Sequence, residues 1–180
     1  MTKPSIRGHW VSLALEERPG ANGSINYLRR DFTTGEQSST ARLIFYSDPE
    51  GTARALTIHL EGPYTIGEPS AAVPGAYEGD FHFDTAKLTA HNAFFLKLLN
   101  SANAGTCGLA PWELDVEQDV TATRGCRPLG LDLVNRDTEY DIVKVEGEKL
   151  YYGARPADGS GLDTPEKRPT ALQVPLIRQE

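Results

Sequence analysis

Cysteine is nearly absent from this chain of 180 residues, with two, alongside one methionine and two tryptophans. Two cysteines without clustered histidine fall short of the four ligands of a structural zinc site. Basic clusters are missing as well: 18 Lys and Arg face 25 Asp and Glu, for a net charge of -7. The nearest pair, Lys167-Arg168, is flanked by Glu166 and Pro169, so the clustered cations that bind phosphates are lacking and no nucleic-acid partner is expected. No apolar run approaches the roughly 20 residues that span a bilayer. The opening residues lead into no apolar leader segment, which by itself points to the cytoplasm. No serine nucleophile elbow, phosphate loop or paired-histidine zinc motif occurs. What the chain does have is turn formers, with 17 Gly and 12 Pro, over a hydrophobic fraction of only 39%. That balance favours many short strands over a helical bundle.

The two cysteines bracket residues 108–125, and part of that segment is patterned. Trp112, Leu114, Val116 and Val120 occupy even positions, and Glu113, Asp115, Glu117 and Asp119 odd ones. Period-two alternation predicts a strand with one buried face. A Cys107–Cys126 bond would clip that strand at both ends and contribute on the order of 3 kcal/mol in the chain-entropy model. Two unpaired buried thiols are the other reading. A bond points to an exported protein, since structural disulfides are rare in the cytoplasm, so localisation stays divided.

Strand patterns recur along the rest of the chain. They are predicted at residues 8–15, 24–33, 42–46, 54–61 with a continuation over 63–67, 76–84, 138–145, 149–153 and 171–177. Glu146-Gly147-Glu148 reads as a hairpin turn. One helix is expected, capped by Thr89 and carrying Phe94, Phe95, Leu98 and Leu99 on one side, with residues 100–105 ending it. About ten antiparallel strands and one helix predict a mainly β, single-domain curved barrel or half-barrel over residues 1–180, because a sheet of that length curls to hide its edges. Barrels of this size enclose either packed side chains or a small ligand.

The order of short motifs resembles a known family. Gly8-His9-Trp10-Val11-Ser12, Glu16 and Arg18-Pro19-Gly20 are similar to the opening motif of the adenomatosis-polyposis-coli-down-regulated domain. Val73-Pro74-Gly75-Ala76 with Glu78 and Phe81 is similar to its central motif. Leu99-Asn100, Cys107-Gly108, Trp112, Gln118-Asp119-Val120-Thr121 and Gly125-Cys126 follow in order. Leu129-Gly130, Glu139-Tyr140, Gly153, Arg155-Pro156, Asp158-Gly159 and Lys167-Arg168-Pro169-Thr170 complete the match, from about residue 8 to 176. The family is known from animal Wnt inhibitors, secreted or membrane-tethered, with two joined domains, and from bacterial relatives; this chain carries one copy and resembles the latter. The resemblance implies a curved β-barrel with an apolar pocket, retention of the Cys107–Cys126 pair, and export. It also implies loss of a second cysteine pair, whose places fall near Leu15 and Gly51. Wnt antagonism is not carried over.

Three functional readings follow. The first is non-catalytic binding of a hydrophobic small molecule, a fatty acid or lipid moiety, by His9, Trp10, Leu56, Ile58, Leu60, Phe81, Phe83, Trp112, Leu114 and Val116. In this reading Arg18, Arg155 or Arg168 receives a carboxylate head through two-pronged guanidinium geometry. The second is a hydrolase-like or metal-dependent enzyme using His9 as a base or the Asp80/His82/Asp84 face. The third is a protein- or glycan-binding module working through rim loops, chiefly the Gly- and Pro-rich residues 155–169. The first is the expectation adopted, with no cofactor, no metal and no catalytic residue.

Overall fold

A computed structural model describes residues 2–19 and 23–180. The strands are β1 (Gly8–Ser12), β2 (Glu16–Pro19), β3 (Ile25–Thr34), β4 (Ser38–Tyr46), β5 (Arg54–Pro69), β6 (Tyr77–His82) and β7 (Thr85–Ala90). After helix α1 (Ala93–Asn100) come β8 (Gln118–Asp119), β9 (Gly125–Cys126), β10 (Leu131–Asp132), β11 (Thr138–Glu146), β12 (Lys149–Tyr152) and β13 (Leu176–Gln179). The expected mainly β class with one α-helix is what forms.

Eight of these strands close into an antiparallel barrel in the order β1, β13, β12, β11, β6, β5, β4, β3 and back to β1. Closure removes the free edges that a sheet of this length would otherwise expose. Five strands lie outside the ring, β9 and β10 pairing with each other. β2 pairs with the first half of β3, from Glu16↔Leu28 to Pro19↔Ile25. β7 pairs with the first half of β5 and β8 with β7.

The long strand β5 changes partner midway. Leu56 to Glu61 pair with β7, and Tyr64 onwards pair with β6. Gly62 sits at the switch, where a Cβ would lie 1.9 Å from the His82 carbonyl oxygen. Only glycine allows that backbone approach. The Gly62-Pro63 bend is thus a continuation within one strand, as the pattern predicted. The hairpin at Glu146-Gly147-Glu148 also forms, with Glu146 opposite Lys149.

Several local expectations are corrected. Residues 112–117 are not a strand; only Gln118–Asp119 is. Asp115 has φ 60, which breaks an extended chain there. Leu114 and Val116 are 47% and 46% exposed, so their alternation marks no buried face. The helix is capped by Asn92, whose side chain accepts the Phe95 N–H, and Thr89 belongs to β7. Asn92 wins because its oxygen stands three residues before the N–H it satisfies, the N-cap spacing. Of the helix's apolar residues Leu99 is buried, whereas Phe94 is 69% exposed.

The cysteines are bonded, Cys107 to Cys126, with S–S 1.99 Å. Helix α1 and the clipped segment pack on β7. Cross-strand partners share a sheet face, so Ala86, Leu88 and Ala90 of β7 continue the face of Leu60, Ile58 and Leu56 on β5. Against that face lie Leu99, Cys107, Trp112, Val120 and Cys126 in one continuous core. Asn100 holds Trp112 in place: its amide donates to the Trp112 carbonyl at 3.2 Å and its oxygen accepts the Trp112 N–H at 2.7 Å. Elsewhere, a Cβ on Gly51 would lie 2.8 Å from Leu15 Cδ1. The two places assigned to the missing cysteine pair are therefore neighbours.

Candidate functional site

Strand periodicity places one set of side chains inside the barrel. Along β3 these are Asn26, Leu28, Arg30, Phe32 and Thr34; along β4, Ser39, Ala41, Leu43 and Phe45. The two strands are in register, with Phe32 opposite Ala41, Arg30 opposite Leu43 and Leu28 opposite Phe45. Part of the interior is solid. Trp10 is fully buried with Ile6, its indole N–H donating to the Ile6 carbonyl at 2.8 Å. The Arg178 guanidinium covers its ring at 4.1 Å. Val143, Leu150 and Leu176 are buried in the same core. An aromatic chain borders it: Phe32 meets Tyr152 edge-on at 5.4 Å, Tyr152 meets Phe81 at 5.5 Å, and Phe81 stacks on Tyr64 at 5.8 Å.

Beyond these rings the interior is open, a cavity of about 400 Å³. Its apolar wall is Leu28, Phe32, Leu43, Phe45, Leu60, Phe81 and Phe83, with Ala41 leaving room where a larger residue would fill it. Pro156, Ala157 and Gly159 form part of the lining. Their segment is held down by Arg136, which donates to the Gly159 and Gly161 carbonyls at 3.0 and 2.7 Å. A smaller chamber of about 260 Å³ adjoins, sharing Leu60, Phe83, Glu139 and Arg155 with the first.

Charged side chains meet the apolar wall in two clusters. In the first, Glu16 bonds two guanidiniums, Arg30 Nε at 2.7 Å and Arg18 Nη2 at 2.6 Å, and also accepts from Ser12 Oγ at 2.7 Å. Arg30 is 3% exposed; burial lowers its pKa, against the pull of Glu16. In the second, Arg155 Nη2 lies 3.0 Å from both Glu139 and Asp141. Burial works against the Arg155 charge, but the two carboxylates outweigh it and hold its pKa above the usual value.

Asp141 is fully buried, and that desolvation pushes its pKa up to about 6 despite Arg155. Its Oδ1 accepts the N–H groups of Ile142 and Gly153 at 2.7 and 2.9 Å. A Cβ on Gly153 would lie 2.5 Å from that oxygen; the bare backbone is what brings the two together. Tyr152, buried beside both clusters, has its hydroxyl pKa raised, first by burial and then by Asp141.

A family model described as adenomatosis polyposis coli down-regulated 1 matches residues 1–180. The chain belongs to that family. The family motifs map onto the geometry above: the opening motif contributes Trp10, Glu16 and Arg18, and Arg155-Pro156 contributes to the pocket wall.

Of the residues nominated from the sequence, Arg18, Leu60, Phe81, Phe83 and Arg155 line the cavity. The others lie elsewhere. Trp10 and Trp112 are core residues, and Leu56 and Ile58 pack on the β5 face without reaching the cavity. Leu114 and Val116 are on the surface. His9 is 44% exposed and pairs with Asp31 at 2.8 Å across β1 and β3. Arg168 binds Asp80 at 2.6 Å and the Asp141 carbonyl at 3.0 Å, away from the cavity. Asp80, His82 and Asp84 do not converge. Asp80 is taken by Arg168, and His82 bonds the Thr138 hydroxyl at 3.1 Å. Among the described residues no group of three His, Cys, Asp or Glu is placed to hold a metal ion, and no helix is long and apolar enough to cross a membrane.

Residues absent from that nomination supply most of the lining, among them Leu28, Arg30, Phe32, Leu43, Phe45 and Tyr152. A signal for them exists. In the strand over residues 25–34, the even positions read Asn, Leu, Arg, Phe, Thr. An arginine between Leu28 and Phe32 on an inward face marks a polar group set into an apolar wall.

Proposed function

We propose that the barrel binds an apolar small molecule, the acyl chain of a fatty acid or other lipid, without catalysing its conversion. One observation carries this reading: an interior that is solid around Trp10 stays open for about 400 Å³ beside it, behind a wall of Leu and Phe. Folded interiors normally hold few voids larger than a water molecule. Small-molecule sites occupy about 300–1,000 Å³ and combine an apolar lining with a few placed polar groups. The polar groups here are the two arginine–carboxylate clusters, which leave most of the wall apolar.

Native mass spectrometry of the purified protein tests the reading, followed by titration with dodecanol. A bound lipid mass released on denaturation, or saturable one-to-one uptake of dodecanol, is the expected result. A protein that carries no lipid and takes up no dodecanol is not a lipid binder.

A further inference from the structure

The two charged clusters are not equivalent. In the second, one guanidinium serves two carboxylates, and the buried Asp141 is further satisfied by two backbone N–H groups. In the first, one carboxylate serves two guanidiniums. Both Glu16 oxygens are already engaged, Oε1 by Arg30 and Ser12, Oε2 by Arg18. The remaining partners are neutral: Arg18 also donates to the Gln173 side-chain oxygen, and Arg30 Nη2 to the Val174 carbonyl at 2.7 Å. Arg30 Nη1 is buried with no hydrogen-bond partner, as is Arg155 Nη1 in the second cluster, so the clusters differ in their charge balance and not in this respect. The first cluster thus holds one more cation than anion, in a part of the barrel where the Arg30 side chain is 3% exposed and that of Arg18 24%. Two guanidiniums that share one carboxylate leave a net charge with little solvent around it, which is costly, and a buried donor without an acceptor adds to the cost. Both arginines line the cavity.

We infer that the Arg18–Glu16–Arg30 cluster receives the ionised carboxylate of the ligand, so that the cavity takes a free long-chain acid in preference to a neutral lipid of the same length. This rests on the lipid-binding reading above. The excess of one guanidinium here matches a monoanion, the Arg155 cluster on the same cavity wall carrying the opposite excess and so disfavouring one, and a planar carboxylate matches guanidinium donors in pairs. The tail then runs along Leu28, Leu43, Phe45 and Leu60, on the apolar wall of the same cavity. Arg18 is the residue that selects the head group, because it is the more accessible of the pair.

The test is isothermal titration at neutral pH with dodecanoate, dodecanol and dodecyl phosphate, on the wild-type protein and on Arg18→Gln. Dodecanoate binds the wild type at least about tenfold tighter than dodecanol, the scale of one charge-assisted contact. In Arg18→Gln that ratio collapses towards one, and Arg18→Lys restores part of it. Equal affinities for dodecanoate and dodecanol in the wild type overturn the head-group assignment while leaving the pocket reading standing. Equal weakening of both in Arg18→Gln also overturns it, because the arginine then acts only by shaping the wall. Tighter binding of dodecyl phosphate than of dodecanoate replaces the carboxylate. Binding of none of the three removes the pocket reading and the head-group assignment together.

Discussion

The barrel interior and the disulfide-clipped segment use the same kinds of side chain to different ends. In the segment, Trp112 is packed to 3% exposure in one core with Val120 and Leu88, its backbone gripped by Asn100, and the chain is closed by the Cys107–Cys126 bond. In the barrel, Phe32, Leu43 and Phe45 project inward but stay half-buried, with Ala41 among them and buried charges beside them. A short irregular chain is ordered here by a dry core and a covalent tie. The barrel wall is ordered by its hydrogen-bonded ladder, which needs no filled centre. The difference teaches where the molecule can spare volume: the ladder leaves the interior of β3 and β4 free to stay open.

That contrast breaks most visibly in the segment. Trp112→Ala removes a large buried ring from a region with no ladder to hold it, at about 3–5 kcal/mol; urea denaturation with a fall of less than about 1 kcal/mol would show that the segment is not a tight core. Replacing both cysteines by serine releases a tie between residues 19 apart in sequence. It costs about 3 kcal/mol in the chain-entropy model, and the matching drop in thermal midpoint checks it. In the barrel the direction reverses. Ala41→Phe puts a ring into open space, costs no more than about 1–3 kcal/mol as overpacking, and abolishes dodecanol uptake by titration. Full uptake in that variant would place the ligand outside the barrel.

Acidity sharpens the same contrast. An unfolded aspartate titrates near 3.9, and buried Asp141 at about 6. Between those values the folded state binds more protons than the unfolded one. The Asp141 contribution to stability therefore falls as pH rises from about 4 to about 6, and is flat above. Urea midpoints of Asp141→Asn lack this component, and identical profiles for the two proteins would place the titration elsewhere. The smallest effect is at the surface of the segment: Leu114→Ser changes stability by within about 0.5 kcal/mol, since Leu114 is 47% exposed. A loss of several times that, by the same denaturation, would mean that the alternation over residues 112–120 does mark a buried face.

Much of the architecture was legible because strand periodicity reports the local pleat directly. Leu60, Phe81 and Phe83 stood on alternating segments and do line the cavity. The same signal failed at residues 112–117, where alternation arises in a loop whose Asp115 backbone turns left-handed; no ladder partner exists to make the pattern mean burial. Thr89 reads as a cap in the sequence because threonine and asparagine are both capping residues, and only the pairing of Thr89 with Thr57 assigns it to β7. Arg30 and Asp141 were missed for another reason. Charged residues on strands read as solvated faces unless closure of the barrel is known, and closure is a property of pairings such as Gly8↔Thr34 and His9↔Gln179 that lie far apart in the chain. Glu16 and Arg30, joined at 2.7 Å, meet only because β2 folds back on β3.

The most direct test of the central claim is a methyl-resolved nuclear magnetic resonance titration with dodecanol, with Ala, Ile, Leu and Val methyl groups labelled. Occupation of the barrel predicts shifts at Ala41, Leu28, Leu43 and Leu60, with Leu114, Val116 and the exposed Leu13 unmoved. Shifts confined to Leu13, Leu114 or Val116, with the Ala41 and Leu43 methyl groups unchanged, would contradict it.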